Sequence, residues 1–268
     1  MNRLLPVKEI KKHDCKNLEY FFTDIDDTLT ENGLLPEYSY NSLWKLYNNN
    51  IKVIPVTGRP AGWCDHIARM WPVEAVIGEN GAFYFSYNRK LKNMERQYFS
   101  SKEQLKANKK KLLKIKTRVL AEVPGASISA DQDYRIADLA VDFCEDVEPL
   151  GREAVQLICR IASEEGALYK ISSIHVNCWF GEFNKVECVK KYLQENTNDY
   201  RDSFNKAFFI GDSPNDEPIF KQIKNSIGVA NLNDFKNELK HLPLYITENR
   251  SAKGFTEAVD VILKKKKS

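Results

Sequence analysis

Residues 20–30 read Tyr20-Phe21-Phe22-Thr23-Asp24-Ile25-Asp26-Asp27-Thr28-Leu29-Thr30. The apolar run that opens this stretch is long enough for a buried strand and too short for a helix. It leads directly into Asp24, Asp26 and Asp27. Three carboxylates this close raise one another's pKa and repel unless a cation offsets them. A divalent ion at the carboxyl end of the strand answers that need, and oxygen ligands suit Mg²⁺. For these residues alone a plainer alternative stays open, an Asp-rich turn after an edge strand. The rest of the chain weighs against it.

Downstream, Tyr40, Leu43, Leu46 and Tyr47 repeat at helical spacing, so Tyr38–Asn50 is expected to be a helix. Ile51–Val56 reads as a second strand and delivers Thr57-Gly58-Arg59-Pro60, with Pro60 suited to the first turn of a helix over Ala61–Met70. Ala75–Gly78 reads as a third strand, closing on Glu79-Asn80-Gly81. Strands alternating with helices are the rhythm of a parallel α/β sheet, and such sheets bind ligands at the carboxyl ends of their strands. The middle of the chain differs. A lysine-rich helix over Ser100–Glu122 precedes strands at Ala126–Ser129 and Ala137–Phe143. A helix over Leu150–Glu165 then precedes strands at Ala167–Ile171 and Ile174–Phe180. This doubled helix-strand-strand pattern predicts an inserted α+β unit over residues 85–181, flanked by one core built from residues 1–84 and 182–268. After a helix from Asn184, the α/β rhythm resumes with the strand Ala207–Ile210, which closes on Gly211-Asp212-Ser213-Pro214-Asn215-Asp216. A helix (Glu217–Ile223), a strand (Ser226–Ala230) and a terminal helix (Thr256–Lys264) follow.

Composition narrows the function classes. The 268 residues are 29% charged and 43% hydrophobic, with a net charge of +3, ordinary for a soluble globular protein with ample core material. Much of the excess charge falls in Lys264–Lys267, read as a solvated, frayed end, so neither nucleic acid nor a membrane is expected as a partner. No continuous apolar segment near the N-terminus resembles a secretory signal, and no stretch approaches the ~20 apolar residues of a membrane span. Cys15, Cys64, Cys144, Cys159, Cys178 and Cys188 are scattered without a C-x-x-C pair, as expected of reduced thiols in a cytoplasmic protein. Asn249-Arg250-Ser251 is then a chance match to the glycosylation triplet. His66 and His175 have no Cys or His partners in sequence, which argues against zinc.

Three polar clusters therefore stand at three strand ends: Asp24-x-Asp26-x-Thr28, Thr57-Gly58-Arg59 and Gly211-Asp212-Ser213-Pro214-Asn215-Asp216, with Lys185 opening a helix upstream of the third. An aspartate can attack phosphorus covalently. A second carboxylate two positions on can protonate a leaving oxygen and then activate water. A distant third carboxylate can complete an oxygen shell around a metal. A lysine can hold phosphoryl oxygens and keep the nucleophile ionised. These are the parts of metal-assisted phosphoryl transfer.

In this order and on these elements, the clusters resemble the haloacid dehalogenase (HAD) superfamily of phosphatases. The position of the insert resembles the C2-capped Cof-type, sucrose-phosphatase-like branch. The likeness runs nearly the whole chain. It implies a Rossmann-like parallel-sheet core with an inserted α+β cap domain, a Mg²⁺ cofactor and a small phosphorylated substrate. Residue by residue it implies Asp24 as nucleophile and metal ligand, and Asp26 as general acid/base binding the metal through its backbone carbonyl. Asp212 would be the third protein ligand, with Asn215 and Asp216 as supporting groups at the metal. Thr57 and Lys185 would grip the phosphoryl group, with Gly58, Arg59 and Asn80 as further substrate contacts. Thr28 would fix the loop. Asp27 departs from the glycine usual at its position, which bears on loop shape. Lys185 lacks the usual following glycine, and Lys190 and Lys191 lie on the same helix as poorer candidates. Arg135, Asp142, His175, Asn177 and Trp179 lie on the cap's presumed sheet, each with a structural alternative. The functional reading is a phosphatase acting on a sugar phosphate. The alternatives are a phosphomutase of the phosphomannomutase type and a non-catalytic phospho-ligand-binding module. Neither the individual substrate nor the oligomeric state is specified by the sequence.

Overall fold

Phe21 and Phe22 are adjacent and both fully buried, so the strand that carries them points an aromatic ring to each side and needs cover on both. The computed structural model, which describes residues 4–172 and 174–268, supplies that cover. In chain order its elements begin with β1 (Leu5–Pro6), α1 (Lys12–Asn17), β2 (Tyr20–Thr23), α2 (Glu37–Asn48), β3 (Lys52–Pro55), α3 (Ala61–Met70) and β4 (Val76–Gly78). Next come β5 (Phe83–Asn88), β6 (Asn93–Tyr98), α4 (Lys102–Glu122), β7 (Ser127–Ile128), β8 (Asp138–Asp142), α5 (Arg152–Glu164), β9 (Leu168–Ile171) and β10 (His175–Trp179). The chain ends with α6 (Lys185–Asn196), α7 (Tyr200–Asn205), β11 (Ala207–Gly211), α8 (Glu217–Gln222), β12 (Asn225–Gly228), β13 (Tyr245–Ile246) and α9 (Ser251–Lys267).

Six of these strands form a parallel sheet in the order β1-β13-β12-β11-β2-β3. On one face Phe21, Phe208 and Ile210 pack with Leu43 and Leu46 of α2 and Phe255 and Val259 of α9. On the other, Phe22, Ile54 and Phe209 pack with Val189 and Leu193 of α6 and Phe220 of α8. The result is a mixed α/β core in which β2 lies between β11 and β3. A second, antiparallel sheet runs β7-β8-β10-β9. Its Leu139, Val141, Val176 and Cys178 face Ile115 and Val119 of α4 and Ile158 and Ile161 of α5. By the two-residue alternation of strands, its other face is polar.

Two details differ from the sequence reading. Residue 85 falls inside β5, which pairs with β4 and β6 in a three-stranded antiparallel sheet. Phe83 and Phe85 stack at 4.3 Å within the first core cluster. The hairpin lacks a clear alternating pattern because β6 is largely exposed and sets only Met94 and Tyr98 against the core, with Arg96 between them on the same face. The lysine tail is also ordered where a frayed end was expected. Helix α9 runs to Lys267, and Lys265 Nζ donates to the Ile10 carbonyl at 2.7 Å. Lys266 Nζ donates to the carbonyls of Leu18 at 3.0 Å and Lys16 at 3.1 Å. These ammonium groups serve carbonyls that the short N-terminal helices leave without intrahelical partners. Among the described residues, no helix is long and apolar enough to cross a membrane.

Candidate active site

The parallel ladder extends past the ends of its central strands, which fixes where the polar residues meet. The Asp24 N–H donates to the Ile210 carbonyl at 2.9 Å and the Val56 N–H to the Thr23 carbonyl at 2.8 Å. Asp24, Thr57 and Asp212 thereby emerge at the same edge of the sheet. The carboxylates of Asp24, Asp212 and Asp216 come within 4.8 Å of one another, all buried. Lys185, first residue of α6, enters this group and donates to Asp24 Oδ1 at 2.8 Å and Asp216 Oδ1 at 2.9 Å. Its helix is started by Asn184, whose side chain accepts the Glu187 N–H at 3.0 Å. Lys190 and Lys191, the other lysines considered, pair instead with Glu187 and Glu195.

Backbone without side chains makes this convergence possible at two points. A Cβ on Gly211 would lie 2.2 Å from Asp216 Oδ2, so glycine lets Asp216 fold back to accept the Asp212 N–H. A Cβ on Gly81, where φ is +105°, would lie 2.2 Å from the Asn184 carbonyl oxygen, just ahead of Lys185.

The electrostatics follow from burial. Desolvation pushes Asp24 from 3.8 up to about 7; Lys185 opposes the rise, and Asp216 and Asp26 add to it. Asp212 is pushed well above the carboxylate range by burial and by Asp24 and Asp216. Burial works against the Lys185 ammonium, but Asp216 and Asp24 outweigh it and hold the group above the ordinary lysine range. One ammonium thus faces three carboxylates, a deficit of positive charge that a hard cation would fill. The donor set fits such an ion. Asp24 Oδ2 and Asp212 Oδ2 have no partner among the described residues, and the Asn215 Oδ1 acceptor is buried without one. Asp216 is committed at both oxygens, to Lys185 and to the Asp212 N–H, so it fits a supporting place better than a ligand's.

The remaining anticipated residues sit around this cluster. Thr28 Oγ1 donates to Asp212 Oδ1 at 3.2 Å, tying the first loop to the third. Asp27 stands at φ +55°, the left-handed region that aspartate tolerates better than most side chains. The Asp26 carboxylate turns away from the other three and is held by Arg59, with Nη2 at 2.8 Å and Nε at 3.1 Å. Thr57 is fully buried and its Oγ1 accepts the Arg59 N–H at 3.0 Å. Asn80, at φ +56°, lies against Gly58 with its buried Nδ2 donor unpartnered.

The polar face of the second sheet closes over this edge, leaving a cleft of about 690 Å³ lined by Asp24, Arg59, Asn80, Asp212 and, from that sheet, Lys170 and Asn177. Two bridges cross it. Arg135 Nη1 donates to the Gly58 carbonyl at 3.0 Å while Nε donates to Asp131 Oδ1 at 2.8 Å. Arg59 Nη1 reaches Glu145 at 3.3 Å, and Glu145 in turn meets His175 Nε2 at 2.9 Å. The His175 contact, with Arg59 behind it, draws the Glu145 carboxyl down to about 2. Sequence reading overlooked Glu79, Glu145 and Lys170. Glu79 is fully buried and its carboxylate accepts the N–H groups of Ala61 (3.0 Å), Ile136 (2.9 Å), Ala137 (2.6 Å) and Asp138 (3.2 Å). Burial and Asp138 push Glu79 up to about 8 against the pull of those donors. Its one sequence signal was its place beside Asn80 at a strand end; Glu145 and Lys170 offered none.

Comparison with known proteins agrees with this architecture. Residues 21–123 match the profile of the haloacid dehalogenase-like hydrolases. A 55-residue segment is 46% identical to phosphoglycolate phosphatase 1 of Saccharolobus solfataricus, covering 20% of this chain and 23% of that protein. The chain therefore aligns with about a quarter of that relative's length. Over nearly full length the fold is similar to that of Thermoplasma acidophilum 0175, with a TM-score of 0.70 at 17% identity, covering 92% of this chain and 98% of that one. It is similar to the HAD/COF-like hydrolase of Plasmodium vivax, with a TM-score of 0.67 at 13% identity and coverage of 95% and 99%. The sucrose-phosphatase of Synechocystis sp. PCC6803 gives 0.62 at 12% identity, covering 91% and 97%.

Proposed function

We propose that this chain, whose residues 21–123 match the haloacid dehalogenase-like hydrolases and whose fold is similar to that of a HAD/COF-like hydrolase, is a Mg²⁺-dependent phosphatase of that family that hydrolyses a small phosphomonoester, a sugar phosphate in substrate class. The observation that carries the reading is the meeting of Asp24, Asp212 and Asp216 around Lys185 at one sheet edge. Asp24, Asp212, the Asp26 carbonyl and Asn215 would hold the ion, whose charge would offset the incoming phosphoryl oxygens.

In this mechanism Asp24 attacks phosphorus in line and the bond from phosphorus to the ester oxygen breaks. Asp26, once released by Arg59 and protonated from solvent, gives that oxygen its proton, leaving an aspartyl-phosphate on Asp24. Asp26 then takes a proton from water, the water oxygen attacks phosphorus, and the bond to Asp24 breaks to release phosphate. Lys185 anchors Asp24 and, with Thr57 and Asn80, meets the phosphoryl oxygens. Arg59, now holding Asp26, would swing toward the arriving anion and free the carboxylate for proton transfer. Residues 85–181, proposed as a cap, would exclude water and read the leaving group. The free state of all six cysteines supports a cytoplasmic setting. The test is a phosphate-release screen over phosphorylated metabolites with Mg²⁺ or EDTA, beside Asp24→Asn. Release is expected from the parent with Mg²⁺ only, and none from the variant, with unchanged circular dichroism. Equal release from both would remove Asp24 from the nucleophile's role.

A further inference from the structure

Among the described residues, the cations that line the cleft are engaged, with one exception. Arg59 holds Asp26 and Glu145, Arg135 holds Asp131 and Asp138, and Arg250 holds Asp234. Lys185, just beyond, holds Asp24 and Asp216. Lys170 lines the same cleft from β9 and has no hydrogen-bond or ion-pair partner among the described residues, although it is half-buried. Its register partner across the antiparallel ladder is Asn177 of β10, so the two side chains share the sheet face turned to the cleft. Burial, and then the Lys185 ammonium, lower Lys170 from the ordinary lysine range. Asp216 and Glu217 oppose that lowering from a distance without bonding to it, and a cation so placed, near a like charge, is stabilised by an anion arriving between the two. In the same cleft, Asn80 is 8% exposed and its Nδ2 donor has no partner among the described residues. A ligand with more than one acceptor group would serve more than one of these donors, and about 690 Å³ exceeds what one phosphate fills.

We propose that Lys170 is a specificity-determining residue that selects phosphomonoesters carrying a second anionic group, a carboxylate or a further phosphate, on the leaving-group side. The inference rests on the phosphatase reading of the site and deepens it. A charge-assisted hydrogen bond made in a partly desolvated cleft is worth roughly 10–100-fold in kcat/KM.

The experiment uses matched pairs with Mg²⁺. 3-Phosphoglycerate against glycerol 3-phosphate exchanges a carboxylate for a hydroxymethyl group, and fructose 1,6-bisphosphate against fructose 1-phosphate removes a second phosphate. The parent is expected to favour the doubly anionic member of at least one pair by tenfold or more, and the favoured pair identifies the anion. In Lys170→Met that ratio falls to within about twofold of unity, chiefly through KM, and Lys170→Arg restores it. A parent that treats both pairs evenly, or a Lys170→Met variant that lowers all four substrates by one factor, overturns the assignment. In those cases the loss of all release in Asp24→Asn leaves the phosphatase reading standing. No release from any ester by the parent would overturn both.

Discussion

Replacing Lys185 with methionine removes the one ammonium from a buried group of three carboxylates while keeping the length of its stem. Lys185 Nζ lies 2.8 Å from Asp24 and 2.9 Å from Asp216, and both pairs are buried. Taking one partner from a buried ion pair typically destabilises by about 3–5 kcal/mol, a large share of the ~5–15 kcal/mol of an ordinary domain. The loss depends on pH. In the parent without metal, Asp24 sits at about 7 against an ordinary 3.8. Between those values the folded protein keeps a proton that the unfolded chain has released, so stability falls as pH rises from ~4 to ~7. About three pKa units at ~1.4 kcal/mol each make that fall about 4 kcal/mol. Because Lys185 pulls Asp24 downward, its removal extends the window above pH 7. Urea unfolding followed by tryptophan fluorescence, at pH 5 and pH 8 in EDTA, reads the difference directly. The variant should lose several kcal/mol at pH 8 and clearly less at pH 5, where protonation quiets the carboxylates. Millimolar Mg²⁺ should recover more stability in the variant than in the parent, and about 2.7 kcal/mol if it reaches a hundred times its dissociation constant. A loss below about 1 kcal/mol at pH 8 in EDTA, or an equal loss at both pH values, would refute the reasoning.

Other consequences are as specific. Asp26→Asn should cut kcat about 10²–10⁴-fold with little change in the melting temperature, measured by phosphate release and thermal denaturation. Gly81→Ala forces a side chain onto the Asn184 carbonyl at a positive φ, so it should shift α6 and Lys185. Mg²⁺ titration followed by thermal shift should then show weakened stabilisation. Glu79→Gln replaces an acceptor of four N–H groups with one that also donates, at a cost of about 1–3 kcal/mol. Hydrogen exchange should rise at Ile136, Ala137 and Asp138 before it rises in β2.

The alternation of strands and helices, the apolar run ahead of Asp24 and the clusters at Thr57 and Asp212 were legible because each is a local pattern. Period-two and period-3.6 hydrophobicity and the turn residues at strand ends need no knowledge of distant neighbours. The carboxylates' need for a cation was legible for a similar reason, since their mutual repulsion holds in any fold that brings them together. The hairpin β5-β6 was not, because its second strand sets only Met94 and Tyr98 against the core and is recruited by pairing with β5. Nor was the order of the lysine tail, which depends on carbonyls some 250 positions away.

The division of labour within the site belongs to the tertiary structure alone. Asp26 turned to Arg59, Asp216 committed to Lys185 and Glu79 clasping Ile136–Asp138 are long-range pairings, and Lys170 finds no bonded partner among the described residues. Sequence fixes which charges a chain carries and which faces of its elements must be buried. Where one charge meets another is set only when helices and sheets pack, because the energy of a buried charge depends on neighbours within a few ångströms, whatever their distance along the chain.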